Sequence, residues 1–226
     1  MRRQHLFGIP AVFLFGVFVA SSASADTITF EGFAVGTNIT NQIPGVTISA
    51  TGGIDEAWIF DTDAPTGGDT DLQAPFTEIG GGPVLSPGNI LIIQENNDPG
   101  DADDLGTAGG IFDIEFDVAT TLFSIDFFDM EEGTLIELFS GSFADLIASF
   151  ETESSETDET PDDNLYEHLV FNGSDGVAGV KSIRITMAGS GGIDNIVHRR
   201  TVPEPASLLL LGAGLLLLRA RARSLG

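Results

Sequence analysis

Residues Phe112, Ile114 and Phe116 alternate with Asp113, Glu115 and Asp117. Successive side chains of a strand point to opposite faces, so this pattern predicts a half-buried strand over 111–118 with its acids in water. Leu122–Phe127 repeats the pattern, and Thr27–Phe30 shows a shorter version. Val46-Thr47-Ile48 follows a Pro-Gly turn. Ala57–Phe60 and Asn89–Gln94 are more continuous and read as buried strands. Further β-type runs lie at 134–139, 148–151, 166–171, 182–187 and 193–197, with Gly and Pro between them. Leu138–Phe150 also admits one helical turn. About ten short strands with one wet face predict an all-β, antiparallel β-sandwich of jelly-roll type and disfavour a parallel α/β fold.

The two ends break this pattern. Arg2 and Arg3 precede an apolar stretch from Leu6 to Ala20, and Ala23-Ser24-Ala25 is a small-x-small cleavage site. Residues 1–25 are expected to form a signal-peptide helix, cut before Asp26. At the far end, Ala206–Leu218 is apolar but for Ser207. As a helix it spans ~20 Å, short of the ~30 Å hydrocarbon core. Arg219, Arg221 and Arg223 follow it and are expected to stay cytoplasmic. The chain therefore divides into a signal peptide (1–25), a β-sandwich body (26–201) and a tail (202–226).

Val202-Pro203-Glu204-Pro205, the apolar helix with Gly212 and Gly214, and the arginine cluster together resemble the PEP-CTERM sorting signal. The resemblance implies export by a Gram-negative bacterium and processing by an exosortase that reads Pro203, Glu204 and Pro205. It also implies association with exopolysaccharide or biofilm. The inner membrane would be met transiently through the C-terminal helix. The processed protein would belong to the cell surface, the outer membrane or the extracellular matrix.

Charge narrows the partners. The chain carries 34 acids, 9 bases and a formal net charge of −25. Between Asp26 and His198 only Lys181 and Arg184 oppose 33 acids. Such a body repels phosphate backbones and anionic membrane surfaces, which excludes nucleic acid as a partner. Cysteine is absent, which excludes disulfides, thiolate catalysis and Cys-type zinc sites. Glu151–Asp163 holds seven acids and no large apolar side chain, so it reads as a mobile loop or an acidic tether.

The remaining acids gather on Gly- and Pro-bent loops. Asp61, Asp63, Asp69 and Asp71 form one group; Asp98, Asp101, Asp103 and Asp104 form another. Calcium takes six to eight hard oxygens from such loops, so Asp61, Asp69, Asp71, Asp103 and Asp104 are candidate ligands. Neither loop has EF-hand spacing, and solvated acidic turns are the alternative. Residues 57–131 also resemble a recurrent extracellular β-sandwich module of exported bacterial proteins, one with no activity to carry over.

A second constellation pairs Phe30-Glu31-Gly32 with Gly192-Ile193-Asp194-Asn195. It is similar to the calcium site of galactose-binding-like jelly rolls. That likeness implies Glu31 and Asp194 as ligands of one structural Ca²⁺, a staple in place of disulfides.

Catalytic signals are weak. His5 leaves with the signal peptide, and His168 and His198 stand in no triad, nucleophile-elbow or H-E-x-x-H spacing. Trp58 and Tyr166 are the single Trp and Tyr, and Trp58 sits in an apolar run that reads as core. The expected function is therefore a non-enzymatic, calcium-stabilised surface or matrix protein. A carbohydrate-binding module is the alternative, and a glycoside hydrolase with facing carboxylates the third reading.

Overall fold

The computed structural model describes residues 24–66, 72–104, 109–129, 133–152 and 164–201, together with Gly212 and Gly214. The strands are β1 (Asp26–Ile28), β2 (Val46–Thr51), β3 (Ala57–Asp61), β4 (Phe76–Glu78), β5 (Val84–Leu85), β6 (Asn89–Ile93), β7 (Gly110–Phe128), β8 (Thr134–Phe139), β9 (Leu146–Glu151), β10 (Leu165–Val170), β11 (Val177–Met187) and β12 (Gly192–Arg200). Among the described residues, one 3₁₀ turn, Gly173–Asp175, interrupts them. The helices expected over the signal peptide and over 206–218 fall outside the described residues, Gly212 and Gly214 excepted. The acidic stretch 153–163 also falls outside them.

The sheet turns on β7. Its first part pairs with β2 on one side (Val46↔Phe116) and β11 on the other (Ile183↔Ile114). Its second part pairs with β12 (Gly192↔Phe128) and β10 (Tyr166↔Phe128). β8 and β9 extend the first half beyond β11, while β6 and β3 extend the second beyond β12. Pairing is antiparallel except between β10 and β4.

The 19-residue β7 corrects the expectation of two separate strands at 111–118 and 122–127. Ala119-Thr120-Thr121 interrupts the apolar alternation in sequence, and Asp117 and Val118 just before it are exposed. The backbone pairing nevertheless continues: Asp117 N–H donates to Gly45 O, and Ala119 O accepts Thr201 N–H. The helical turn considered within 138–150 is replaced by the β8–β9 hairpin.

Two halves joined by one strand can fold face to face, and the buried residues fit that arrangement. Ile48, Ile114, Ile136 and Ile183 from the first half share a core with Ile59, Leu91, Ile125 and Ile193 from the second. The all-β, antiparallel class expected from the alternation is present, and this shared core fits a β-sandwich.

A second core lies on the other face of β3 and β6. Ala57, Ile59, Leu91 and Ile93 enter the main core, while Trp58, Phe60, Ile90 and Ile92 enter the second. Leu72, Phe76, Ala102, Phe128 and Tyr166 complete it. Strands buried on both faces explain why these two runs do not alternate. The acid-bearing loops supply the cover, through Leu72 and Ala102, and Thr66 Oγ1 donates to Ala102 O at 2.6 Å.

Candidate functional site

β12 starts with a regular ladder and then slips. Gly192, Ile193 and Asp194 pair with Phe128, Phe127 and Asp126, but the register shifts between Asp194 and Val197. Asn195 occupies the left-handed region at φ 49. This bulge lets two consecutive side chains work on one side, which a regular strand forbids.

The result is a polar row across three strands. His168 on β10 and Asp194 on β12 are both register partners of Asp126 on β7. His168 Nδ1 lies 2.5 Å from Asp126 Oδ1. Asn195 Nδ2 donates to Asp126 Oδ2 at 2.8 Å. Both oxygens of Asp126 are therefore engaged.

Asp194 differs. It is 2% exposed, and among the described residues its Oδ1 has no hydrogen-bond partner. Its carboxylate does accept the N–H groups of Asn195 and Phe30. Burial is the main force pushing its pKa up to about 7, with the charges of Asp126 and Glu31 adding to it. A buried carboxylate with an orphaned oxygen and two acidic neighbours is a site of uncompensated negative potential.

Glu31 is held beside it by the segment that follows β1. Glu31 Oε1 accepts the Asn89 N–H at 2.9 Å, and Asn89 Nδ2 donates to Phe33 O at 3.0 Å. Gly88 has φ +75, and a Cβ there would collide with the Glu31 carboxylate. The fold thus brings the predicted pair, Glu31 and Asp194, into electrostatic reach at the junction of the first strand, β6 and the last strand. Among the described residues, no three His, Asp or Glu side chains form a group able to hold a metal ion by themselves. A hard cation here would need main-chain oxygens as well, as calcium sites commonly do.

The other predicted ligands are placed differently. Asp61 ends β3, and its Oδ1 accepts the Asp63 N–H at 3.0 Å. Asp69 and Asp71 lie outside the described residues. Asp103 N–H donates to Gln94 Oε1 at 3.1 Å, and Asp103 O accepts the Glu95 N–H. Asp104 is buried, and its Oδ2 accepts the Gly191 N–H, tying the second acidic loop to the start of β12.

Asp126, His168 and Asn195 were missed as members of this cluster. Alternation does place Asp126 on the opposite face from Ile125 and Phe127, but only strand register shows what stands beside it. Trp58 and Tyr166 are both buried. Trp58 Nε1 donates to Glu56 Oε2 at 2.6 Å, and Tyr166 stacks on Phe128 at 5.8 Å. Neither offers the exposed ring that sugar stacking needs.

The chain ends meet on the same strand pair. Asp26 is the register partner of His198, so β1 begins where β12 finishes. Thr201 makes the last described hydrogen bond of the body, its N–H to Ala119 O at 3.0 Å. From that residue on, positions 201–224 match the PEP-CTERM protein-sorting motif. The chain carries a PEP-CTERM sorting signal. The signal marks an exported protein of Gram-negative bacteria, addressed to an exosortase-type processing enzyme. No curated protein and no solved structure matches the chain.

Within the PEP-CTERM tail, Pro203, Glu204, Pro205, Arg219, Arg221 and Arg223 fall outside the described residues, as does Ala23 of the cleavage site. Ala25 is exposed immediately before β1. Among the described residues, no helix is long and apolar enough to cross a membrane.

Proposed function

We propose that this is a non-enzymatic protein of the cell surface or extracellular matrix, processed by an exosortase, that works within an exopolysaccharide or biofilm layer. Its body is a calcium-stabilised β-sandwich of jelly-roll type, with the first and last strands as neighbours. The orphaned, buried Oδ1 of Asp194 carries the calcium part of this reading. Asp194 and Glu31 would hold the ion together with nearby main-chain oxygens, and Ca²⁺ would supply charge neutralisation and a clamp. That clamp would join the segment after β1 to β12, doing the work of a disulfide in a chain without cysteine.

A melt of the processed protein with calcium and with chelator tests the clamp. An unchanged melting temperature removes the metal from the reading. Fractionation of the host, with and without its polysaccharide, tests the placement. Retention in the matrix only when polysaccharide is made is the expected result. The burial of Trp58 and Tyr166 withdraws the aromatic support for a carbohydrate-binding module.

A further inference from the structure

The main core stays open at the end where β1 begins. On β12, Ile196, His198 and Arg200 share one face, because successive side chains of a strand alternate. Ile196 and its register partner Ile28 belong to the main core. One step further along that face, His198 stands opposite Asp26, and Arg200 follows it. Apolar packing thus gives way to three ionisable side chains. Together with Ile28, Phe33 and Ile43 they line a cavity of about 340 Å³. Small-molecule sites run from ~300 to ~1,000 Å³, so this one suits a small ligand or the end of a larger one.

Each polar group here is set for hydrogen bonding. Thr120 Oγ1 donates its one proton to Arg199 O at 2.7 Å, so at 3.2 Å it accepts from His198 Nδ1. The tautomer follows: Nδ1 carries the proton and Nε2 is a bare acceptor. Burial lowers the pKa of His198, which keeps the ring neutral at pH 7. Nε2 has no hydrogen-bond partner among the described residues and is not sealed from solvent, so it opens on the cavity. Arg200 lies at the mouth. Its Nη2 donates to Pro44 O, and a Cβ on Gly45 would collide with its guanidinium. A guanidinium has five N–H groups, so donors remain for a ligand.

This arrangement selects by chemistry. Asp26 and Arg200 cancel in formal charge, in a body with 33 acids against four bases. A neutral ligand suits such a mouth; an anion would meet the surrounding acids, and a cation would meet Arg200. The inner acceptor, Nε2, needs a hydroxyl donor. The rim offers guanidinium donors and a carboxylate acceptor, and Ile28, Phe33 and Ile43 supply apolar surface. A pyranose ring matches this set, with hydroxyls around its edge and C–H groups on its faces. The buried Trp58 and Tyr166 play no part.

We infer that this cavity binds a neutral pyranose residue at the end of a polysaccharide chain, with His198 Nε2 and Asp26 accepting from its hydroxyls and Arg200 donating to its oxygens. The inference rests on the reading of this protein as part of an exopolysaccharide layer, to which it adds a point of contact. It is independent of calcium.

Without its signal peptide the chain has two histidines, His168 and His198, so nitrogen NMR of the ¹⁵N-labelled processed protein resolves both rings. The probe is the neutral oligosaccharide fraction from partial acid hydrolysis of the host's own exopolysaccharide, added in excess at pH 7.5. It should move the His198 Nε2 resonance and leave those of His168 in place. Arg200→Gln should weaken binding at least about tenfold while melting as wild type does. The wild-type measurement needs no variant and so does not depend on the substitution folding. An unmoved His198 resonance, an equal movement at His168, or wild-type affinity in Arg200→Gln overturns the site. Fractionation of the host separates this inference from the reading beneath it. A wild type not retained by polysaccharide overturns the placement, whereas a retained wild type with an unmoved His198 resonance overturns the site alone.

Discussion

Asp194 and Asp126 stand directly across the β12–β7 ladder, yet only Asp126 has both oxygens engaged, by His168 and Asn195. Asp194 keeps one oxygen unpaired in a site 2% exposed. Two carboxylates at one cross-strand position repel, and a like-charged pair destabilises a sheet unless something neutralises it.

Calcium should therefore raise the melting temperature of the processed protein. At a hundredfold excess over its dissociation constant the gain is about 2.7 kcal/mol, or roughly 5–10 °C for a chain of this size. Asp194→Asn should abolish the shift. In chelator at pH 8 the same variant should melt higher than wild type, because it removes a buried charge. Differential scanning calorimetry on both proteins checks both statements, and a calcium shift surviving in Asp194→Asn would locate the ion elsewhere.

His198 carries the opposite sign of titration. It is buried, 3.2 Å from Thr120 Oγ1 and against Phe116, and burial lowers its pKa below the usual 6.5. Below pH 6.5 the unfolded chain gains a proton that the folded chain resists, so this stabilisation is lost as the pH falls through the lowered pKa. Relative to His198→Gln, wild type should lose stability between pH 7 and pH 5. Urea melts of the two proteins across that range report the difference; parallel curves would rule the effect out.

The second core makes a demand that a simple sandwich with one wet face would not. Phe128 is fully buried between Phe76, at 4.9 Å, and Tyr166, at 5.8 Å. Phe128→Ala should cost about 3–5 kcal/mol in equilibrium unfolding. Val118→Ser, on the exposed bend, should stay within about 0.5 kcal/mol of wild type. Similar costs for the two would show that the acidic loops do not cover that face.

Asn195 should tolerate glycine better than a β-branched residue. Its φ of 49 suits Asn or Gly, and its Nδ2 also serves Asp126. Asn195→Val should lose about 2–3 kcal/mol through strain and the broken hydrogen bond, and Asn195→Gly less, since only the bond goes. Chemical denaturation of the pair ranks them, and an equal loss would remove the backbone argument.

Much of this site was half-visible in sequence. Glu31 and Asp194 could be paired because they sit near the first and last strands, and the structure does bring them into electrostatic reach. Asp61, Asp103 and Asp104 qualify as cation ligands in sequence because they sit on Gly- and Pro-bent acidic loops. In the fold, Asp61 Oδ1 accepts within its own turn, Asp103 is tied to Gln94 through its backbone N–H, and Asp104 Oδ2 accepts the Gly191 N–H. An acid count cannot separate a ligand from a hydrogen-bond acceptor, because both want the same residue on the same bent loop. Asn195 gave no signal, since its role depends on a bulge that alternation does not encode.

What the sequence determined by itself was local: the period-2 strands, the all-β class, the acidic surface and the sorting address of residues 201–224. Each of these is written in contiguous residues, where side-chain alternation or a short motif is sufficient. The tertiary structure decided what lies beside what. Asn195 reaches Asp126 across 69 positions and His168 reaches it across 42. The second core likewise joins distant segments. Strand register sets those neighbours, and register follows from how the whole sheet closes rather than from any one stretch of chain.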